Sequence, residues 1–226
     1  MTTAEQGTDA WVQARLGKLT ASRMHDAVRR TKTGWSEYRR AYMIELIAER
    51  LTGMARKSYL SEAMLWGIET EPQALAVYQK RRGLVTQPGC FVEHPFIPMT
   101  GATPDAFVDE DGLVEIKCPD SHTHVGYLID RMVPEQYIAQ TQWQLACTER
   151  KWCDFCSFDP RMPPDLRLLV VRVERVPEII EELETLACEF LKELDEALAM
   201  IKGERHASSE DIAASLEKPS ILVRKK

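Results

Sequence analysis

The sequence predicts an α/β domain with a central mixed β-sheet flanked by helices. Two amphipathic helical segments precede the middle of the chain, short β-rich runs occupy residues 85–118, and helical and strand segments alternate after them. No internal repeat or linker-like change of composition divides the 226 residues. We therefore predict one domain over residues 1–202, followed by a C-terminal tail at 203–226 that is either flexible or in contact with another subunit.

Two helices are predicted in the first half of the chain. Ser36–Leu51 begins with an N-cap residue, repeats apolar residues at steps of three and four, and is followed by Gly53 as a stop signal. The second helix covers Ser61–Gly83, and because Pro72 lies inside it we expect a kink or a break near Glu71. Its predicted apolar side consists of Met64, Leu65, Ile68, Leu75, Ala76 and Tyr78.

The rest of the chain alternates between strands and helices. Three short runs, separated by Pro, Gly and the acidic turn Asp109–Gly112, predict a meander or a set of hairpins. These runs are Val85–Val92, Phe96–Val108 and Leu113–Cys118. Helical spacing returns at Pro134–Cys147, strands are predicted at Trp152–Phe158 and Leu166–Val176, and Pro177–Ile201 has the pattern of an amphipathic helix.

Composition excludes several classes of protein. A hydrophobic fraction of 44% and a charged fraction of 28% are not those of collagen-like or disordered chains. No apolar stretch approaches the roughly 20 residues needed to span a bilayer, and Met1–Thr8 lacks the features of a signal peptide. We therefore expect a cytoplasmic protein without a membrane partner. The six scattered cysteines suit reduced thiols, and Cys153 and Cys156 should face opposite sides of a strand rather than share a metal.

The signal that carries chemistry is Thr103-Pro-Asp105 followed by Glu115-Ile-Lys117. Alternation along a strand places Glu115 and Lys117 on one face, and the intervening turn folds Asp105 back beside them. Hard divalent cations such as Mg²⁺ bind carboxylates and keep positions open for water and phosphate. The lysine could then orient or deprotonate an attacking water, or stabilise charge on the phosphate.

An acid-x-Lys triplet alone is not specific. It occurs twice, as Glu115-Ile-Lys117 and as Glu149-Arg-Lys151, and the second is interpreted as an exposed turn between a helix and a strand. The alternative interpretation of Glu115-Ile-Lys117 is a surface ion pair in a hairpin. The upstream Pro-Asp pair and the hydrophobic flanks favour a half-buried site, where a charged pair is costly without a partner or a metal.

Further segments could complete such a site. Glu71 could supply a third carboxylate from the second helix, and Gln140 lies on a helix whose amides suit hydrogen bonding to the site or to a phosphate. Arg15 precedes Thr20-Ala-Ser22, which can cap the next helix and present N–H groups and a hydroxyl to an anion.

Five ordered motifs carry a resemblance to a known family. They are Trp11-x-x-x-Arg15-Leu-Gly-x-Leu-Thr-Ala-Ser22, Leu65-Trp-Gly-x-x-x-Glu71, Thr103-Pro-Asp105, Glu115-Ile-Lys-Cys-Pro119 and Tyr137-x-x-Gln140-x-Gln142. Together they resemble the lambda exonuclease type of viral recombinase nuclease, also called YqaJ-like, of the PD-(D/E)xK superfamily. The resemblance extends from Ala10 to about Ile201, and it implies the restriction-endonuclease-like core of that superfamily.

The resemblance implies a processive 5′-to-3′ exonuclease that uses Mg²⁺, with two ions expected and Mn²⁺ able to substitute. The enzyme would act on linear double-stranded DNA with a 5′-phosphate, release 5′-mononucleotides and leave a 3′ overhang for a single-strand annealing protein. It would form a homotrimer ring, encoded by a phage or prophage and working in the bacterial cytoplasm.

The resemblance also implies roles for individual residues. Glu71, Asp105 and Glu115 match metal ligands, joined by the backbone carbonyl of Ile116. Lys117 matches the catalytic lysine. Gln140 matches a supporting residue near that lysine. Arg15 and Ser22 match a pocket for the 5′-phosphate, and Met64 matches an apolar wedge that parts the strands. The basic segment Arg29–Trp35 is similar to the family's DNA-clamping loop.

Other functions stay open at this point. The same superfamily contains structure-specific and restriction-type endonucleases, which are the main alternative. Two further alternatives are a non-enzymatic DNA-end-binding protein and a protein-interaction domain built on the acidic last helix. The net charge of −6 does not exclude DNA, because residues 1–57 hold 11 basic and 6 acidic side chains, whereas Glu174–Glu196 holds 9 acidic and 2 basic ones. A ring with a positive channel and a negative exterior would explain both the basic balance of residues 1–57 and the acidic total.

Overall fold

A computed structural model describes the chain over residues 6–56 and 61–203. The helices are α1 (Asp9–Arg15), α2 (Met24–Val28), α3 (Glu37–Thr52), α4 (Glu62–Arg82), α5 (Ser121–Asp130), α6 (Glu135–Thr148) and α7 (Pro177–Gly203). The strands are β1 (Leu19–Thr20), β2 (Arg30–Thr31), β3 (Gly34–Trp35), β4 (Thr86–Pro88), β5 (Val92–Glu93), β6 (Thr100–Ala102), β7 (Ala106–Val108), β8 (Gly112–Lys117), β9 (Trp152–Phe158) and β10 (Leu168–Glu174). A single turn of 3₁₀-helix, Ala21–Arg23, precedes α2.

The largest sheet in the described chain has five strands in the order β10-β9-β8-β7-β4. Its β8 and β9 are parallel and its other neighbours are antiparallel, so the sheet is mixed. A second sheet has the order β1-β6-β5, and β2 and β3 form a separate hairpin. The predicted fold class, a mixed sheet flanked by helices, is confirmed.

The two long helices of the first half begin and end where their caps predict. Ser36 Oγ accepts the Arg39 N–H at 3.3 Å, and Ser61 Oγ accepts the Met64 N–H at 3.2 Å. At the other ends, the glycines at 53 and 83 adopt left-handed conformations with φ of 67° and 65°. Local cap chemistry therefore accounts for the bounds of α3 and α4.

Helix α4 differs from the prediction in two respects. Of the expected kink or break near Glu71, the break is wrong, because the helix continues through Pro72. The residue whose carbonyl the proline leaves unbonded, Ile68, is 60% exposed. Its N-terminal half also exposes apolar side chains, because only the second half packs on the sheet, through Ala74 and Tyr78. The predicted apolar residues Met64, Leu65 and Ile68 are 46%, 43% and 60% exposed.

Helix α5 has no counterpart among the predicted elements. Asp120 caps it by accepting the Thr123 N–H at 2.9 Å. The helix is short, with ten residues, and its first turn, Ser121–His124, is polar. Its capping aspartate is the sequence signal that could have located it.

The chain divides into two units, residues 1–191 and 192–226. The first unit contains the sheets and helices α1 to α6, while the described part of the second is the helical segment 192–203. The predicted tail lies outside the described residues from 204 onward, and its boundary remains a prediction. Among the helices of the described ranges, none combines the length and apolarity needed to cross a membrane.

A buried carboxylate ties strand β9 to its neighbours. The Asp154 side chain is 0% exposed, accepts two hydrogen bonds from Arg172 at 2.8 and 3.0 Å, and accepts one from the Tyr78 hydroxyl at 2.9 Å. Arg172→Met is expected to lower the free energy of unfolding by about 3 kcal/mol, because a buried charge loses its main partner. Chemical denaturation measures this. The double variant Asp154→Leu/Arg172→Met should recover part of the loss, and equal losses in both variants would contradict this account.

Candidate active site

A hairpin brings the predicted acidic residues together. Strands β7 and β8 pair antiparallel with Ala106 opposite Val114, so Asp105 lies next to Glu115 at the following position. Alternation along β8 places Glu115 and Lys117 on one face of the strand, as predicted. The turn and the strand period are therefore sufficient to assemble this part of the site.

Glu115 is buried and held on both carboxylate oxygens. Its Oε1 accepts hydrogen bonds from Lys117 Nζ and from Gln140 Nε2, both at 2.5 Å. Its Oε2 accepts one from Gln144 Nε2 at 2.6 Å. With 2% of its surface exposed, this carboxylate is fixed in position by α6 and by its own strand.

Asp105 and Glu71 complete a group of acidic residues that we name the carboxylate cluster: Glu71, Asp105 and Glu115. Asp105 Oδ2 accepts the Ile116 N–H at 2.6 Å. Burial, followed by the charges of Glu115 and Glu71, raises the pKa of Asp105 well above its usual value. Burial and the charge of Glu115 likewise raise the pKa of Glu71. The cluster thus holds more negative charge than its surroundings neutralise.

Lys117 is the cation of the site. Burial alone would lower its pKa, but the carboxylates of Glu115 and Asp105 outweigh that effect and raise the pKa above its usual value. Its ammonium lies 5.1 Å from the ring centroid of Tyr137, and 26% of the side chain is exposed. Lys117 is therefore a protonated group that still reaches solvent.

The donor set suits a hard divalent cation. Within the described ranges, no three or more His, Cys, Asp or Glu side chains are arranged as a ready-made metal site. Both oxygens of Glu115 are occupied by protein donors. The carboxylate cluster offers oxygen ligands, and the raised pKa values of Asp105 and Glu71 reflect burial and then mutual repulsion, which a cation would relieve. Cys153 and Cys156, in contrast, are buried thiols with raised pKa values.

Arg15 and Ser22 both lie beside Thr20. Arg15 Nη2 donates to Thr20 Oγ1 at 3.4 Å, and the hydroxyls of Thr20 and Ser22 are 3.4 Å apart. The Arg15 guanidinium is half-buried, stacks 4.3 Å from the Trp11 ring centroid, and has no salt bridge to a described acidic residue. Burial lowers its pKa. An anion would find an unpaired positive charge and two hydroxyls there.

The Arg15 group is connected to the carboxylate cluster. Trp11 Nε1 donates to Thr103 Oγ1 at 3.1 Å, and Thr103 lies two residues before Asp105. Gln144 Nε2 contacts both the Thr103 carbonyl, at 3.4 Å, and Glu115. The two sets of predicted site residues therefore belong to one region of the molecule.

Met64 and the basic segment lie at the periphery. Met64 is 46% exposed on the first turn of α4. Segment 29–35 includes the β2–β3 hairpin, where the Arg30 guanidinium lies 3.9 Å from the Trp35 ring centroid. A surface cleft of about 550 Å³ runs from this hairpin to α6 and includes Arg29 and Gln136 in its walls, but no residue of the carboxylate cluster.

The motif residue Gln142 lies away from the carboxylate cluster, and another glutamine that contacts the cluster was missed. Gln142, part of the family motif, donates to the Glu174 carbonyl at 2.7 Å and accepts the Val176 N–H at 3.0 Å, so it joins α6 to the start of α7. Gln144 instead contacts the site. Its spacing of four from Gln140, one helical turn, is the signal that could have found it.

Known proteins resemble this chain in sequence and in fold. The family model described as YqaJ-like viral recombinase domain matches residues 10–151. An alkaline exonuclease from Laribacter hongkongensis is 40% identical, with a TM-score of 0.81, over 92% of this chain and 100% of that one. The structure of that exonuclease in complex with dAMP is 41% identical, with a TM-score of 0.82, over 92% of this chain and 100% of that one.

A phage-related exonuclease from Haemophilus somnus 129PT shares the fold at 17% identity, with a TM-score of 0.67 over 81% of this chain and 96% of that one. No curated protein matches the sequence. The family match covers more than half of the chain, and it includes α1, α4 and the β7–β8 hairpin. The chain therefore belongs to the YqaJ-like viral recombinase family.

Proposed function

We propose that the protein is a Mg²⁺-dependent exonuclease that processively degrades one strand of linear double-stranded DNA from its 5′ end. Family membership and the 40% identity to an alkaline exonuclease make it a DNA-hydrolysing nuclease. The observation that carries the chemistry is the buried Glu115, fixed between Lys117 and two glutamine amides beside Asp105 and Glu71. The complex of the relative with dAMP supports mononucleotides as products.

The carboxylate cluster and the Ile116 carbonyl would hold the metal. Bound there, one or two Mg²⁺ ions, or Mn²⁺ in their place, would supply Lewis acidity toward the phosphate oxygens. Gln140 and Gln144 keep the Glu115 carboxylate oriented. Lys117, as an ammonium, orients the attacking water and neutralises charge that develops on the phosphate, a role its raised pKa favours over that of a base.

The remaining residues bind and separate the strands. Arg15 and Ser22 anchor the 5′-phosphate, Met64 inserts between the strands, and the basic hairpin near Arg30 grips the duplex. A homotrimer ring around the DNA and a single-strand annealing protein that takes up the 3′ overhang complete the proposal. We place the enzyme in the bacterial cytoplasm as a phage or prophage product. These assignments are supported by the family resemblance and by the basic balance of residues 1–57.

The test is digestion of one linear duplex labelled at either its 5′ or its 3′ end, with and without Mg²⁺. Early release of the 5′ label as a mononucleotide is the expected result. Cleavage of closed circular duplex would favour a restriction-type or structure-specific endonuclease, because an exonuclease needs an end. Binding without release of nucleotides would favour the non-enzymatic DNA-end-binding alternative.

Arg15→Ala is expected to remove the preference for 5′-phosphorylated ends. The arginine provides the unpaired charge of the pocket, so its loss should reduce activity on a 5′-phosphate end by about tenfold to 100-fold, as for the loss of one charge-assisted contact. Activity on a 5′-hydroxyl end should change little, which makes that substrate the internal control. An equal fall on both substrates would contradict this assignment.

A further inference from the structure

Gly67 has no structural reason to be glycine. It lies in the interior of the 21-residue helix α4 and lacks the positive φ that favours glycine elsewhere in the chain. A Cβ built at this position meets no described heavy atom within 4 Å. Glycine is the least favourable helix residue apart from proline, so the helix itself would be more stable with alanine.

The open space at Gly67 lies on the inner side of the helix. Ala74 and Tyr78 follow Gly67 by seven and eleven residues, which is two and three helical turns, so all three point in similar directions. Ala74 and Tyr78 are 0% exposed against the sheet. At Gly67 a Cβ on the same side of α4 would meet no described heavy atom within 4 Å, and we call this open space the gap.

This gap adjoins the carboxylate cluster. Glu71 is one turn after Gly67, and helical side chains lean toward the N-terminus, so the Glu71 side chain extends toward the gap. Met64 lies one turn earlier on the same face. A polar ligand entering the gap would therefore lie close to the Glu71 carboxylate.

We propose that Gly67 leaves a notch for the DNA strand under hydrolysis, which passes beneath α4 between the carboxylate of Glu71 and the side chain of Met64. Gly67 and Glu71 are about 6 Å apart along the helix axis, which is close to the length of one nucleotide along the sugar-phosphate backbone. The notch would thus take the sugar-phosphate next to the scissile one. This inference rests on the proposed nuclease function and adds a size limit at one residue.

The test compares substitutions at two helical glycines. Gly126 in α5 is the matched control, because a Cβ there also meets no described heavy atom within 4 Å. Gly67→Ala and Gly126→Ala should each raise the melting temperature by up to about 4 °C. Gly67→Leu should keep that stability but lower hydrolysis of linear duplex by about 100-fold, the effect of a misplaced substrate. Gly126→Leu should retain wild-type hydrolysis.

A binding measurement separates blocked entry from a defect in chemistry. In a Lys117→Ala background, where the DNA stays intact, adding Gly67→Leu should weaken duplex affinity at least about tenfold, because the strand no longer fits. If the wild type and the Gly67→Leu variant hydrolyse DNA equally well, the notch is overturned and the proposed function is not. Equal losses of hydrolysis in Gly67→Leu and Gly126→Leu would also overturn the notch, as would a lower melting temperature of Gly67→Leu. A wild type that degrades no DNA would overturn the proposed function and the notch together.

Discussion

Lys117→Ala is expected to lower the rate of DNA hydrolysis by about 10³-fold, the loss seen when a preorganised electrostatic group is removed from an active site. The Lys117 ammonium lies 2.5 Å from Glu115 Oε1, and the carboxylates of Glu115 and Asp105 keep it charged despite its burial. Without it, the attacking water and the phosphate lose their positive partner. Duplex affinity should change little, since the proposed anchoring charge of Arg15 remains. Single-turnover hydrolysis and fluorescence anisotropy measure the two quantities.

The chain contains a matched control for this substitution. Lys151 belongs to the second acid-x-Lys triplet, but its side chain is 71% exposed and pairs with Asp111 at 2.7 Å. Lys151→Ala should therefore retain wild-type turnover. Because removing Lys117 leaves buried Glu115 without its cation, melting curves of Lys117→Ala and Lys117→Met must show folded protein. A folded Lys117 variant with turnover within tenfold of wild type would contradict the assigned role.

The parts of the site that the sequence predicts correctly are local in the chain. Asp105, Glu115 and Lys117 are separated by one turn and one strand, so turn chemistry and the period of two suffice to place them together. The bounds of α3 and α4 follow from Ser and Gly caps for the same reason. Each of these inferences uses contacts between residues that are near one another in sequence.

The parts that the sequence does not predict depend on tertiary packing. Gln144 and Gln142 differ by two positions on α6, and which of them meets Glu115 depends on how that helix sits on the sheet. The hydrogen bond from Trp11 to Thr103 spans 92 residues. The apolar pattern of α4 likewise cannot show that Met64 lies beyond the sheet and stays exposed. Periodicity indicates a face, but not what covers it.

Asp105→Asn is expected to abolish hydrolysis and, in metal-free buffer, to stabilise the fold. Burial and the charges of Glu115 and Glu71 raise the pKa of Asp105 above its ordinary value of 3.8. Between the ordinary and the raised pKa the folded state binds more protons than the unfolded state, so stability falls as the pH rises through that window. An asparagine removes this loss and can still accept the Ile116 N–H through its amide oxygen. Denaturation at several pH values should show a flatter profile for the variant.

Addition of Mg²⁺ should then separate the wild type from Asp105→Asn. If the carboxylate cluster binds the ion, a concentration of 100 times Kd stabilises the wild type by about 2.7 kcal/mol, and EDTA reverses both this gain and the hydrolysis. The variant should show a much smaller gain, because it lacks one of the ligands. Turnover that survives EDTA, or an equal Mg²⁺ shift in both proteins, would exclude the cluster as the metal site. The two opposite effects of one substitution have a common cause: the buried negative charge of Asp105, repelled by its neighbours, destabilises the metal-free fold and would attract the cation.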